Sequence, residues 1–172
     1  VGPIFDLKKL DWLNGHYLRA LTADELADRI LEFESDWAPT PAEVEILRSA
    51  VPIIQERLVL LKDARPQLDY LFAADDALAI DDDARGGLAE NAGEILDAAI
   101  AVAESVPFTT DAIQAGLRER IVEGMGIKPK FAFAPIRVAI SGRRVSPPLF
   151  ESMEILGRES SLARLRRLRA TL

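Results

Sequence analysis

One stretch of the sequence interleaves cations with aromatic rings, Lys128-Pro129-Lys130-Phe131-Ala132-Phe133-Ala134-Pro135, and Arg137, Arg143 and Arg144 come shortly after it. Lysine and arginine meet phosphates, a contact that carries affinity without sequence information and weakens as salt rises. Lys128, Lys130, Arg143 and Arg144 are therefore candidate phosphate contacts. Arg137, Ser146 and Leu149 supply a planar donor, a small polar group and an apolar face, a mixture that can read the edges of unstacked bases while covering their faces. Other chemistries find little material. The chain has no cysteine and one histidine, so a disulfide framework, a thiolate metal site and a cysteine nucleophile are excluded, as is a His-rich cluster. Asp81-Asp82-Asp83 lacks the register of a calcium loop and reads as solvated. Nothing resembles a nucleophile or a phosphate-binding loop, so a stand-alone enzyme is not expected.

The net charge of −7 argues at first against a polyanionic partner. It conceals an asymmetry: residues 1–110 hold 9 Lys/Arg against 22 Asp/Glu, and residues 111–172 hold 12 against 6. Charge concentrated at one end points to nucleic acid, although a solvated basic helix explains the last stretch equally well. At 172 residues and 49% hydrophobic content the chain can bury a core. No apolar run approaches the roughly 18 residues of a membrane span. The start, Val1 to Asp6, lacks the basic and apolar regions of a signal peptide, so a soluble cytoplasmic protein is expected.

Helical spacing dominates the elements that must position these residues, and an all-α fold of small helical bundles is the result. Thr22-Ala23-Asp24-Glu25 and Thr40-Pro41-Ala42-Glu43 have capping-box spacing, the second with proline where its missing N–H costs nothing. The helix from Thr40 carries Val44, Leu47, Val51, Ile54, Leu58 and Leu61 on one face, and Pro52 predicts a kink near Val51 or two helices in series. Further helices are expected over 88–104 and 110–123. The Lys128–Pro135 stretch reads as extended, with a short helix from Pro135 to Ile140 stopped by Gly142. Ser146-Pro147 reads as the cap and first residue of another helix, and Gly157 divides that helix from a final basic one.

Phe5-Asp6-Leu7-Lys8-Lys9-Leu10-Asp11-Trp12-Leu13-Asn14-Gly15-His16-Tyr17-Leu18-Arg19 resembles the segment after the active-site domain in glutamyl- and glutaminyl-tRNA synthetases. Gly126-Ile127-Lys128, Pro135-Ile136-Arg137-Val138-Ala139-Ile140-Ser141-Gly142 and Pro148-Leu149-Phe150-Glu151 resemble the C-terminal signature of bacterial-type glutamyl-tRNA synthetases, with departures at Lys130 and Ile136. With the Leu156-Gly157-Arg158-Glu159 turn, these blocks span nearly the whole chain. The resemblance implies a tail of the stem-contacting region over residues 1–21 and two helical anticodon-binding subdomains over 22–70 and 71–172. It implies a tRNA partner accepting glutamate, a monomer, and no cofactor here, because the HIGH-like and KMSKS-like motifs that bind ATP with Mg in the family's catalytic domain do not occur. It places base reading on Arg57, Arg137, Ser146, Pro147 and Leu149, with Arg57 on the third anticodon base.

Plainer readings stand beside these. Arg57, read as helical beside Glu56, could form a surface ion pair worth about 0 to 1 kcal/mol. Leu149 is expected to face outward while Phe150 packs, Trp12 and Tyr17 are expected in a core, and His16 in solvent. Arg164, Arg166, Arg167 and Arg169 either approach RNA or merely favour the end of the last helix. A helical protein-interaction domain using the acidic first two-thirds is the alternative function.

Overall fold

The structure, a computed structural model, describes residues 6–172. Phe5, which opens the first motif, and the rest of the Val1–Phe5 start lie outside the described residues. Those that are described form helices and connecting turns without a strand, so the all-α expectation holds. The chain divides into two compact units, Val1–Asp69 and Tyr70–Leu172.

Side-chain caps set the starts of the first unit's helices. Asp6 accepts from the amides of Lys8 and Lys9 to open α1, Leu7–Ala20. Both predicted capping boxes form: Thr22 and Glu25 satisfy each other's amides ahead of α2, Ala23–Phe33, and Thr40 and Glu43 do so ahead of α3, Pro41–Gln55. Bonds from the threonine backbone amides hold the Glu25 and Glu43 carboxyls below the usual carboxylate range. Leu26, Ala27 and Ile30 of α2 are buried, as are Leu47, Ala50, Val51 and Ile54 of α3. Their spacing of three and four is the condition for two helices to share a core. Arg48 joins the pair from outside, donating to Asp24 (3.1 Å) and Asp28 (2.7 Å).

Two expectations fail in this unit, and a third is narrowed to one of its alternatives. α3 runs through Pro52 as one element, so of the two alternatives at that proline the helices in series do not form. The helix stops at Gln55, and Leu58, buried though it is, lies beyond it, as does Leu61 in a 3-10 turn at Leu61–Asp63. Trp12 and Tyr17 are 63% and 53% exposed, because α1 turns Gly15 and Leu18 inward and leaves the two rings on its flanks. Trp12 stacks instead on His16, which is exposed as expected. Gln55 fastens α1 by donating to the carbonyls of Leu18 and Leu21.

α4, Ala64–Phe72, carries the division between the units. The second unit continues with α5, Asp82–Gly86, and α6, Ala92–Ser105, which starts later than the predicted residue 88 because residues 88–91 form the connection into it. α7, Thr110–Leu117, does not continue as an α-helix to Glu123. Residues Arg118–Glu123 widen into π-helical geometry, with the Gly124 amide reaching five residues back to the Glu119 carbonyl at 2.9 Å. α8 is Pro129–Ser141 and α9 is Leu149–Arg169, with Gly157 (φ 83°, ψ 168°) breaking the helical path where the sequence places a stop. α9 packs against α6, α7 and α8, and Gly116 lets α7 approach so closely that a Cβ there would meet a Val102 methyl at 2.8 Å.

Arg164 organises this unit's interior. It is 2% exposed and donates to the Asp75 carboxylate (2.6 Å) and to the carbonyls of Tyr70, Ala73 and Ile140 (each 2.8 Å). A buried charge persists only when it is paired and hydrogen-bonded, and here each of the three guanidinium nitrogens has a partner. The other basic residues of α9 are also engaged. Arg158 caps the end of α6 through the carbonyls of Ala103, Glu104 and Val106, Arg166 pairs with Glu104, Arg167 holds the Leu78 carbonyl, and Arg169 pairs twice with Asp97.

A candidate nucleic-acid interface

α8 presents the predicted cationic and aromatic residues, but as a helix. Pro129 takes the first helical position, and Ala132, Pro135, Ile136, Val138 and Ala139 are buried at helical spacing. That inward face overrides the Phe-Ala alternation that read as extended, and Pro135 sits inside the helix rather than at its start. Lys128, Lys130 and Phe131 are exposed at the amino-terminal end, where the helix dipole adds to the positive field.

Gly142 ends α8 in the left-handed conformation (φ 74°), a position only glycine fills, since a Cβ would lie 2.0 Å from the Ala79 carbonyl oxygen. The Gly142 carbonyl accepts from the Asp81 amide at 2.8 Å. From this fixed point the chain turns through Arg143 and Arg144 to Ser146 and Pro147. Arg137 holds the turn: one terminal nitrogen donates to Ser146 Oγ (2.6 Å) and to the carbonyls of Ser146 (3.3 Å) and Pro147 (3.0 Å). Ser146 is therefore not the cap of the next helix. Pro148 takes that position, and α9 begins at Leu149.

The structure thus brings Arg137, Ser146 and Pro147 together in one partly buried cluster. Leu149 departs from expectation, being 3% exposed. It shares the inward face of α9 with Ser152 and Met153, while Phe150 stays half-buried and packs edge-on against Phe133 at 5.1 Å. Below the turn, Ser152 donates to the Pro148 carbonyl and bonds the Tyr70 hydroxyl at 2.6 Å. Burial pushes the Tyr70 phenol up, so it stays protonated and can donate. In the first unit, Arg57 is exposed, but in the turn after α3 rather than within a helix, with its amide bonded to the Ile54 carbonyl (3.0 Å).

Sequence reasoning missed Arg164, whose spacing from Ser161 and Leu168 put it on the inward face of α9. Among the described residues no group of three or more histidine, cysteine or acidic side chains could hold a metal, and no helix is long and apolar enough to cross a membrane.

A family model described as an anticodon binding domain matches residues 22–169. The glutamate–tRNA ligase of Cutibacterium acnes is 47% identical, over 98% of this chain and 36% of its own length. That of Kineococcus radiotolerans is 48% identical, over 98% of this chain and 35% of its own. The chain spans about a third of the length of the curated relatives it matches. A crystal structure of a glutamate tRNA ligase from Elizabethkingia meningosepticum has a TM-score of 0.82 at 19% identity, covering all of this chain and 34% of that one, a likeness of fold. Because the matched residues take in most of the sequence and both helical units, this chain belongs to the anticodon binding domain family.

Proposed function

We propose that this chain recognises the anticodon of a glutamate-accepting tRNA in the cytoplasm, as a monomeric part of a longer glutamate–tRNA ligase. The observation that carries this reading is the anticodon binding domain match over residues 22–169. Residues 1–21 act as the tail of a stem-contacting region, 22–70 as the first anticodon-binding subdomain and 71–172 as the second. Arg57 reads the third anticodon base, its exposed planar guanidinium offering two donors to a base edge. Arg137 presents the Ser146–Pro147 turn to another base, and Leu149 supports that turn from the core. Lys128, Lys130, Arg143 and Arg144 neutralise loop phosphates. ATP, magnesium and the ligation chemistry belong to the part of the enzyme that these residues do not cover.

Fluorescence anisotropy with a labelled anticodon stem-loop tests the reading. Four phosphate contacts to single-stranded RNA predict an affinity loss of about fifty-fold between 50 and 200 mM salt, from a slope of roughly 0.7 per phosphate. Arg57→Ala and Arg137→Ala are each expected to weaken binding and relax preference at one base. If both variants keep wild-type affinity and base preference, the site assignment is wrong.

A further inference from the structure

Beside the Arg137 turn, and wholly within the second unit, lies a cleft of about 550 Å³ whose wall includes Arg118, Lys130, Phe131, Phe133, Arg137 and Arg144. Its volume falls in the range of sites that enclose small ligands, about 300–1,000 Å³. Its lining holds four cations and no carboxylate. Among the described residues, Arg118, Lys130 and Arg144 take part in no ion pair, whereas every arginine of α9 is engaged within the protein. A positive field left uncancelled around a concave surface fits an anionic occupant.

The aromatic residues narrow that occupant further. Phe131 is 59% exposed, with the Lys130 ammonium 6.0 Å from its ring centroid, and Phe133 is held edge-on by Phe150. An open ring beside unpaired cations is how proteins hold single-stranded nucleic acid, the ring taking the base and the cations its backbone. Arg118 opens the π-helical segment, so the departure from α geometry falls at a residue of the cleft wall.

We infer that this cleft takes one unpaired nucleotide flanking the anticodon triplet, its base stacked on Phe131 and its phosphate among Arg118, Lys130 and Arg144. The inference rests on the anticodon reading and adds a subsite to it. Phe131 acts as a stacking platform indifferent to base identity, since every base has a π face.

The test uses the 172-residue chain and a glutamate-tRNA anticodon stem-loop carrying 2-aminopurine at one loop position at a time. One position outside the triplet is expected to be quenched on binding. Phe131→Ala should abolish that quenching and weaken binding about ten-fold, and Phe131→Trp should keep both. Replacing Arg118 and Arg144 together by alanine should lower the salt slope by roughly 0.7, the share of the one phosphate they hold. Because the Phe131 ring is exposed, circular dichroism should show an unchanged thermal midpoint. If Phe131→Ala leaves quenching and affinity as in the wild type while Arg137→Ala still weakens binding, the subsite is refuted and the anticodon reading stands. If the wild-type chain does not bind the stem-loop, both are overturned.

Discussion

Within the second unit, the seam between α6 and α9 and the end formed by the π-helical segment, α8 and the turn after it are both rich in cations, yet they use the charge in opposite ways. Along the seam Arg166 and Arg169 meet Glu104 and Asp97, Arg158 covers the carbonyls at the end of α6, and Arg164 is sealed inside against Asp75. At the other end Arg118, Lys130 and Arg144 surround a cleft without a carboxylate in its wall. The positive excess of residues 111–172 therefore divides into cations that hold the fold together and cations that remain available to a polyanion. Net charge along a sequence does not separate the two, because the acids that neutralise the seam come from α6 and from the chain after α4.

The largest effect that would sharpen this contrast is on stability. Arg164→Met removes the cation paired with Asp75, which keeps only the Ser160 hydroxyl, and the guanidinium donor of three carbonyls, and urea denaturation should show a loss of about 3–5 kcal/mol. Next comes Arg137→Ala, for which a loss of stem-loop binding worth about 1–3 kcal/mol is expected in anisotropy, larger than its effect on the unfolding midpoint. Third, Lys130→Ala should weaken binding uniformly across loop sequences and reduce the salt slope, by at most about 0.7. Arg166→Ala should leave that slope unchanged and cost about 0 to 1 kcal/mol of stability, as an exposed pair does. A slope change in Arg166→Ala equal to that in Lys130→Ala would break the division.

The smallest effect is one of pH. Hydrogen bonds from Arg169 and from Thr110 hold the carboxyls of Asp97 and Glu154 below their ordinary values of 3.8 and 4.5. A depressed carboxylate contributes stability above its unfolded value and loses it as pH falls through the folded one. Thermal midpoints should therefore fall on acidification below about pH 4, and Thr110→Val should blunt that fall by removing the hydroxyl partner of Glu154.

Local chemistry was the legible part. Thr22 and Thr40 announced their helices because a capping box is complete within four residues, and Gly142 and Gly157 marked the ends of helical paths because positive φ is a property of the residue itself. Tertiary packing hid the rest. Phe131-Ala132-Phe133-Ala134 alternates like a strand, and only the burial of Ala132, Ile136 and Ala139 against neighbours draws it into α8. Leu149 turned inward rather than outward because α9 starts at Leu149, two residues later than the Ser146-Pro147 cap reading, while Phe150 packs against Phe133 as expected. Trp12 and Tyr17 are the anchoring type of aromatic, but the inward face of α1 falls on Gly15 and Leu18. The cluster of Arg137 with Ser146 and Pro147 was legible as a set of residues, whereas the bonds that make Arg137 the holder of the turn needed the fold.

The missing side chain at residue 142 makes the turn carrying Ser146 and Pro147 a dependant of chain some sixty residues upstream, since the Ala79 carbonyl occupies the space and Asp81 bonds the same glycine. Insertions or deletions between Asp75 and Ile80 would shift that reference point and so move the Ser146–Pro147 turn from behind, without altering any side chain in it. On the proposed anticodon reading, the segment upstream of Gly142 is thus a second place from which base preference is set, although none of its side chains belongs to the proposed site.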